Sequence, residues 1–333
     1  MQLKKYHTGS ISNCSFLVTG GAGFIGSHLA AYLLAHGAGK VRVLDNFSTG
    51  SKANVAPFVQ NASFELLKGD IRDADTCERA MQGIDYVLHE AALGSVPRSI
   101  TDPATTNDVN ITGFLNILTA AKEAGVKRMV YAASSSTYGD SKELPKVEEH
   151  IGKPLSPYAV TKYVNELYAG VFAKVYGFNT IGLRYFNVFG PGQNPAGPYA
   201  AVIPLFMKAA LTNQSPKING DGLTSRDFTF VDNVIQANIK ALFKDEISGH
   251  EVFNIACGSR TTLNELWRYI TDCAGINTTA VYGDERSGDV RHSLASIQKA
   301  ADILGYIPEV PVQQGLNITY QWYKMQYDVH HPV

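Results

Sequence analysis

One short segment, TGGAGFIG at residues 19–26, limits the fold of this chain more than any other part of its sequence. It follows the apolar run SFLV, which is typical of a buried strand, and it precedes the helix-forming run LAAYLLA. Its three glycines suit a strand–turn–helix connection: Gly20 permits a tight turn, Gly23 lets phosphates approach the backbone, and Gly26 lets the helix pack closely on the strand. The free N–H groups at the start of that helix suit an anion. The segment therefore predicts a dinucleotide-binding loop at the start of an α/β domain.

The first half of the chain repeats this alternation of apolar strands and helices. The predicted strands are SFLVTG (15–20), VRVLDN (41–46), FELLKGD (64–70), YVLHEAA (86–92) and RMVYAASS (128–135), with a helix near 105–124 before the last of them. Continuous apolar strands separated by helices indicate a parallel sheet that is covered on both faces.

This pattern divides the chain into two predicted domains. We expect a doubly wound parallel Rossmann domain over residues 14–185, with ligands beyond the carboxyl ends of its strands. The proline- and glycine-rich remainder, 186–330, is predicted to form a smaller α/β substrate-binding lobe. Some of its segments are expected to cross back to the first sheet.

An acidic residue ends the second predicted strand, where the adenosine ribose of a dinucleotide would lie. Asp45 follows Gly26 by 19 residues. Its carboxylate suits both ribose hydroxyls and would repel a 2′-phosphate, so it favours NAD over NADP. Asp70 and Ile71 end the third strand, where they either meet the adenine or only form a turn. The residues predicted to contact NAD in this half are Gly20, Gly23, Phe24, Ile25, Gly26, Asp45, Asn46, Asp70, Ile71 and Ala91.

A second constellation combines hydroxyl groups with a lysine. Tyr158 and Lys162 are four residues apart, so they share one face of a helix. A free tyrosine has a pKa of about 10, and lowering it to about 7 requires roughly 4 kcal/mol of phenolate stabilisation. A lysine cation and a positive nicotinamide ring would supply that stabilisation. The serines of the SSST loop (134–137) end the fifth strand, where one would bind a reacting hydroxyl, although adjacent serines also suit a turn.

The composition limits the partners and the compartment. The chain is 45% hydrophobic and 18% charged with a formal net charge of −1, so no basic field favours nucleic acid or a membrane surface. We expect neither a signal peptide nor a membrane span. The four cysteines are scattered without metal-ligand spacing, which predicts free thiols, no metal site and a cytoplasmic location.

Taken together, TGGAGFIG, Asp45, the SSSTYG loop and the pair Tyr158 and Lys162 resemble the extended short-chain dehydrogenase/reductases. From about residue 14 to 325, the chain is most similar to the UDP-hexose 4-epimerases, especially the bacterial type that acts on N-acetylated UDP-sugars. The resemblance implies that Ser134 is the catalytic serine and that Tyr158 is the base. It also implies that Lys162 holds the nicotinamide ribose and lowers the pKa of the tyrosine.

The same resemblance implies further contacts with the ligands. Asn110 matches a family asparagine that either has a direct catalytic role or is a helix residue bonded to backbone, and it is counted among the expected cofactor-binding residues. Arg226 and Arg286, with Arg291 as a weaker match, would clamp the diphosphate. The loop GSVPRSI (94–100) either approaches the acyl arm through Ser95 and Arg98 or forms a structural turn. The substrate-binding residues expected on this basis are Ser95, Ser134, Ser136, Asn187, Ala201, Val202, Arg226, Arg286 and Ser293.

The reaction implied by the family is NAD-dependent 4-epimerisation through a transient 4-keto sugar, with NAD retained and regenerated in each cycle. Epimerases restricted to UDP-glucose and UDP-galactose can carry a tyrosine where this chain has Ser293. A small residue leaves room for a 2-acetamido group, so UDP-N-acetylglucosamine and UDP-N-acetylgalactosamine are the expected substrates, followed by their uronic acids or the plain hexoses. The family also implies a homodimer, formed by helices near 105–124 and 157–176.

Two other functions remain open from the sequence. One is a nucleotide-sugar dehydratase or decarboxylase, but dehydratases carry an Asp-Glu pair where this chain has Ser135 and Ser136. The other is a dinucleotide-binding regulator without catalysis, which should lack the serine, tyrosine and lysine set found here.

Overall fold

The computed structural model describes residues 4–195, 201–285 and 291–330. Its strands are β1 (Ser15–Thr19), β2 (Lys40–Asp45), β3 (Phe64–Lys68), β4 (Tyr86–His89), β5 (Arg128–Ser134), β6 (Thr180–Tyr185), β7 (Val188–Phe189), β8 (Lys217–Asn219), β9 (Ser225–Arg226), β10 (Thr229–Phe230), β11 (His250–Ile255), β12 (Thr261–Thr262) and β13 (Val281–Gly283). Its α-helices are α1 (Phe24–Ala35), α2 (Lys52–Val55), α3 (Ala74–Met81), α4 (Val96–Thr101), α5 (Pro103–Asn107), α6 (Gly113–Glu123), α7 (Pro157–Tyr176), α8 (Val202–Leu211), α9 (Val231–Leu242), α10 (Leu263–Ala274) and α11 (Val312–His330).

The central element is a parallel sheet of seven strands in the order β3-β2-β1-β4-β5-β6-β11. Strands β2 and β3 are added on one side of β1, and β4 is added on its other side. The strand order therefore changes direction between β1 and β4, and these two strands flank the crevice where such folds bind ligands. The predicted doubly wound Rossmann sheet is confirmed. Strand β11 comes from the second half of the chain and pairs with β6, so this half contributes to both parts of the molecule.

Helices cover both faces of the sheet, as the apolar strands require. Successive residues of β1 point to opposite faces: Val18 belongs to the core beneath α1 and α9, and Leu17 belongs to the core beneath α3 and α6. Both side chains are fully buried. None of the helices in the described ranges is both long and apolar enough to cross a membrane.

The smaller lobe consists of α8, α10 and α11 with short strand pairs, β8 with β13 and β9 with β12. Helix α10 begins with a capping box in which Thr262 and Glu265 bond to each other's backbone N–H groups, and it ends before Gly275 in the left-handed conformation. These local signals fix the helix that faces α8. The predicted C-terminal α/β lobe is therefore confirmed as well.

Candidate active site

The glycine turn leaves no space for side chains. Gly20 has φ +66°, and a Cβ on it would lie 2.7 Å from the backbone nitrogen of Ala91. A Cβ on Gly26 would lie 2.4 Å from the carbonyl oxygen of Gly20. Gly23 precedes α1 without a side-chain cap, and the first turn of α1 contains no acidic residue. The N-terminus of α1 therefore presents free N–H groups to a cleft of about 320 Å³, as a pyrophosphate requires.

Asp45 lies at the end of β2 on the wall of the same cleft. Its Oδ2 accepts the N–H of Ala22 at 2.9 Å, and its Oδ1 accepts the N–H of Phe47 at 2.7 Å. These two bonds fix the orientation of a buried carboxylate. Each oxygen keeps a second lone pair for a ribose hydroxyl.

Asp70 and Ile71 form the neighbouring part of the wall. Asn46 donates its Nδ2–H to Asp70 Oδ2 at 2.8 Å, and the Arg72 guanidinium holds the pKa of the Asp70 carboxyl well below its usual range. Ile71 is buried and packs against Gly113, where a Cβ would lie 2.6 Å from its side chain. One cleft thus brings together the predicted set Gly20, Gly23, Phe24, Ile25, Gly26, Asp45, Asn46, Asp70, Ile71 and Ala91.

Asn110 is placed differently from the rest of the predicted cofactor residues. It lies in a π-helical turn, Asp108–Thr112, and its neighbour Val109 lines the cleft. Its Oδ1 accepts the N–H of Leu93 at 2.8 Å, while its Nδ2 donates to Leu93 O and to Thr161 Oγ1. Asn110 therefore ties the Leu93 segment of the cleft wall to α7, one residue before Lys162.

The lysine of the second constellation is buried at the base of α7. Helix α7 begins at Pro157 after Ser156, whose hydroxyl accepts the N–H of Ala159. One turn later, Lys162 donates from Nζ to the carbonyl oxygen of Ala132 in β5 at 2.7 Å. Burial lowers the pKa of Lys162 to about 8. Its ammonium is thus positioned beneath the end of β5, close to the catalytic loop.

The hydroxyl groups of this constellation gather at the end of β5. Ser134 Oγ accepts hydrogen bonds from the Ser136 backbone N–H at 3.2 Å and from the Ser136 hydroxyl at 2.9 Å. Burial raises the pKa of the Tyr158 phenol, and its hydrogen bond with Ser134 acts in the opposite direction. The predicted residues Ser134, Ser136, Tyr158 and Lys162 are therefore neighbours, although they come from two separate elements.

Sequence reasoning missed a carboxylate at this same place. Glu90 follows β4 directly and lines the cofactor cleft beside Ala91. It accepts a hydrogen bond from the Tyr185 hydroxyl at 2.8 Å, and burial raises its pKa to about 7. The available signal was an acidic residue at the carboxyl end of an apolar parallel strand, YVLHEAA, where such folds hold ligands.

A second cleft, of about 730 Å³, opens between the sheet and the smaller lobe. Asn187 lines it with φ +38°, and its Nδ2 donates to the carbonyl oxygen of Asp227 at 3.0 Å. Arg226 lines it from β9 and donates to the carbonyl oxygen of Arg291 at 3.3 Å. The predicted residues on its wall are Asn187, Ala201, Val202, Arg226 and Arg291.

The remaining predicted substrate residues do not line this cleft or lie outside the described part. Ser95 caps α4 by accepting the N–H of Arg98, while the following Val96 and Pro97 line the cleft. Ser293 donates its N–H to the carbonyl oxygen of Ser225 at 3.1 Å, which places it beside the strand that carries Arg226. Arg286 lies outside the described residues.

Asp227 is a second residue that sequence reasoning missed. It is fully buried, and its carboxylate accepts the backbone N–H groups of Cys257, Gly258 and Ala295. Burial raises its pKa to about 7. Asp227 thus holds two segments, one with Cys257 and Gly258 and one with Ala295, next to Asn187. In the SRDF segment, only the arginine carries a signal that the sequence alone reveals.

This geometry suits hydride transfer assisted by proton transfer. The first cleft fits NAD, because its glycines hold the backbone where added side chains would clash and the Asp45 carboxylate on its wall suits ribose hydroxyls. Tyr158 and Lys162 stand beside it, and the second cleft carries arginine side chains suited to a diphosphate. In the described ranges, no group of three or more His, Cys, Asp or Glu residues is arranged to hold a metal ion.

Comparison with known proteins agrees with this geometry. The profile of the NAD dependent epimerase/dehydratase family matches residues 16–256. A putative UDP-glucose 4-epimerase of Methanocaldococcus jannaschii is 39% identical, over 92% of this chain and 98% of the relative. The chain therefore belongs to the NAD-dependent epimerase/dehydratase family.

Two solved structures narrow the activity. The UDP-glucose 4-epimerase of Thermotoga maritima, solved with UDP-glucose, is 36% identical with a TM-score of 0.88 and covers 94% of this chain and 99% of its own. The UDP-N-acetylglucosamine 4-epimerase of Methanobrevibacter ruminantium, solved with UDP-N-acetylmuramic acid, is 39% identical with a TM-score of 0.87 and covers 94% and 98%. The protein is an NAD-dependent UDP-sugar 4-epimerase.

Proposed function

We propose that this epimerase preferentially interconverts UDP-N-acetylglucosamine and UDP-N-acetylgalactosamine, with the corresponding uronic acids as the next substrates. The observation that carries the proposal is the small side chain of Ser293 beside the strand that bears Arg226. During epimerisation the sugar ring must lie in two orientations, and a large side chain at this position would exclude the 2-acetamido group from one of them. The relative described as a UDP-N-acetylglucosamine 4-epimerase supports this proposal, whereas others are described as UDP-glucose 4-epimerases.

In the proposed mechanism, proton transfer runs along the hydroxyls at the end of β5. NAD held by the glycine turn and Asp45 would supply the hydride acceptor and donor for sugar carbon 4. Ser134 orients the reacting hydroxyl, and Tyr158 takes and returns its proton. Lys162 supplies a positive charge one helical turn away that favours the phenolate. The hydrogen bond with Ser134 lowers the pKa of Tyr158 against the effect of burial.

The second cleft holds the nucleotide in this proposal. Arg226 and Arg286 bind the diphosphate, Asn187 contacts it from the left-handed turn after β6, and the segment from Ala201 to Val202 meets the uridine. Asp227 keeps Asn187 and the neighbouring loops in place by its backbone bonds. The loop near Ser95 approaches the cleft through Val96 and Pro97, so its contact with the acyl arm is apolar.

A single substitution tests the substrate preference. Ser293→Tyr should lower kcat/KM for UDP-N-acetylglucosamine by at least about 10-fold, because an unaccommodated group costs roughly 1–3 kcal/mol. It should leave kcat/KM for UDP-glucose within about threefold. Ser248→Tyr, at an exposed position before β11, controls for the added ring. Equal losses for both sugars, or a wild-type preference for UDP-glucose, would reject the proposed substrate pair.

A dehydratase or decarboxylase is disfavoured by the residues beside the catalytic serine. Ser135 and Ser136 provide hydroxyls only, and a hydroxyl cannot act as a carboxylic acid/base pair for elimination. Product mass separates the possibilities, since epimerisation conserves it while loss of water or carbon dioxide lowers it.

We further propose that two copies of the chain associate through α7. Leu167, Val171 and Val175 are spaced four residues apart on this helix and are 52%, 54% and 62% exposed. Such a stripe is typical of a helix that packs against a partner. Light scattering should report a dimer, and Leu167→Glu with Val171→Glu should give a monomer that retains its NAD.

The free cysteines agree with the proposed cytoplasmic location.

A further inference from the structure

Glu90 stands at the junction of the cofactor cleft and the catalytic residues. It follows β4, which lies between the strand of the glycine turn and the strand that ends at Ser134. Its backbone N–H donates to Thr19 O at 3.1 Å, and the next residue, Ala91, lies against Gly20. The catalytic residues assigned above do not include this carboxylate.

The orientation of the carboxylate is fixed from behind. The Tyr185 hydroxyl donates to Glu90 Oε1 at 2.8 Å and accepts a hydrogen bond from Asn238 Nδ2 at 2.8 Å. Tyr185 and Asn238 are both buried. Because this chain of bonds leads into the core, Glu90 is held on the cleft wall and does not swing into solvent.

Among the residues that the structure describes, the titratable groups that interact with Glu90 lie on two elements, β6 and α7. Tyr185 of β6 donates to it, Lys162 of α7 favours its ionised form, and its charge in turn raises the pKa of Tyr158. Burial raises the pKa of Glu90 to about 7, so a nearby positive charge decides whether it is ionised at neutral pH.

The position of the nicotinamide follows from the reaction. The base and the hydride acceptor must both reach the same sugar carbon, so the ring has to lie beside Tyr158. Glu90 lines the same cleft within electrostatic reach of Tyr158. The oxidised ring is a cation and the reduced ring is neutral, so a carboxylate here interacts favourably with the oxidised form alone.

We propose that the Glu90 carboxylate holds the bound cofactor in its oxidised form and makes Tyr158 the stronger base. This inference rests on the proposed placement of NAD and of Tyr158. The enzyme returns to the oxidised cofactor after each turnover. By stabilising the oxidised ring, Glu90 would favour this resting state.

The test measures reduction of the bound cofactor in a protein that cannot turn over. Tyr158→Phe removes the proton acceptor, so only the charge of the ring changes on reduction. Sodium cyanoborohydride breaks a B–H bond and delivers hydride to the ring, and water captures the electron-poor boron. In the Tyr158→Phe background, adding Glu90→Gln should accelerate this reduction about tenfold. The rate is measured from the near-ultraviolet absorbance of the reduced ring.

Two matched variants test the role of the ionised carboxylate and control for total charge. Tyr185→Phe in the same background removes the hydrogen bond that favours the ionised form of Glu90, so it should change the rate in the same direction as Glu90→Gln but by a smaller factor. Glu78→Gln removes an exposed carboxylate of α3 and should leave the rate unchanged. Equal reduction rates for the Tyr158→Phe protein with and without the added Glu90→Gln substitution would overturn the inference.

Further outcomes separate this inference from the proposed function. If the Glu90→Gln protein does not fold, the Tyr158→Phe protein alone should be reduced faster as the pH falls and Glu90 becomes protonated, and a rate independent of pH would overturn the inference. Absence of NAD from denatured wild-type and Tyr158→Phe protein would instead reject the proposed cofactor site. In otherwise wild-type enzyme, Glu90→Gln should move the acid limb of the kcat profile to lower pH, because the pKa of Tyr158 falls.

Discussion

The cofactor cleft and the sugar cleft are built on different supports. Most of the cofactor cleft is formed by the ends of parallel strands and the turns that follow them, so neighbouring strands bring its residues together; the start of α1 and Val109 complete the wall. The sugar cleft takes Asn187, Arg226 and Arg291 from separate segments. Asn187 is held by the backbone carbonyl of Asp227, and Arg226 lies on the short strand β9 that pairs with β12. From this difference we infer that the sheet positions the cofactor, and we propose that the smaller lobe determines which sugar is accepted.

The largest effect should come from the tyrosine that is proposed as the catalytic base. Tyr158→Phe should lower kcat by roughly 10²–10⁴-fold, since general acid–base catalysis contributes about that much. Bound NAD, measured after denaturation, should remain at the wild-type level because no bulk is lost. Tyr163→Phe on the same helix is the control. Near-normal turnover in Tyr158→Phe would show that the base lies elsewhere.

A substitution in the glycine turn tests whether the cofactor cleft tolerates any added atom. Gly20→Ala should destabilise the protein by roughly 2–4 kcal/mol and abolish NAD retention, because it combines a left-handed φ with a clash against Ala91. Gly37→Ala has a similar φ of +75° but nothing within 4 Å of the new Cβ. It should cost only about 1 kcal/mol in chemical denaturation and keep its NAD. Similar costs for the two variants would contradict the steric argument.

A substitution in the sugar cleft should weaken the binding of the UDP-sugar without changing the amount of bound NAD. Arg226→Ala should raise KM for the UDP-sugar by about 10–100-fold, since a hydrogen bond to a charged group contributes roughly 1.5–3 kcal/mol. Its NAD content should stay at the wild-type level. Arg260→Ala, an exposed arginine of the same lobe, should leave KM unchanged. Loss of NAD in Arg226→Ala would break the separation between the two clefts.

The smallest effect concerns the segment that precedes β1 and packs on α1. Burial lowers the pKa of His7 from 6.5 to about 4, and the Tyr32 hydroxyl lies 2.8 Å from its Nδ1. Because protonation is disfavoured in the folded state, the contribution of His7 to stability is complete above pH 6.5 and is lost as the pH falls from 6.5 toward 4.

Thermal unfolding across this pH range checks the effect of His7. The wild-type protein should lose more stability between these pH values than His7→Gln, which has no proton to bind. His150→Gln, an exposed histidine, should follow the wild-type curve. Parallel curves for wild type and His7→Gln would contradict the role of this buried histidine.

The sequence predicted the cofactor half in more detail than the sugar half for a physical reason. Strand periodicity and glycine spacing are local signals. They indicate the position of Asp45 at the end of a strand, and the spacing of Tyr158 and Lys162 indicates that both lie on one face of a helix. Glu90 was missed because the residues that fix its carboxylate, Tyr185 and through it Asn238, are distant from it in the sequence.

The sugar half depends on contacts between distant segments, which no local pattern encodes. Ser95 is predicted to contact the substrate, but in the structure its side chain caps α4. Asp227 was missed, yet it anchors the loops of Cys257, Gly258 and Ala295 at once. Such a role becomes visible only when the loop of Cys257 and Gly258 and the loop of Ala295 have been brought together in space.

The most direct test of the proposed activity is to incubate the purified protein with UDP-N-acetylglucosamine, without added NAD, and to resolve the nucleotide sugars. We expect a new isomer of unchanged mass, formed by an enzyme that keeps and regenerates its cofactor. No conversion of UDP-N-acetylglucosamine even after NAD is supplied, or a product of lower mass, would contradict this activity.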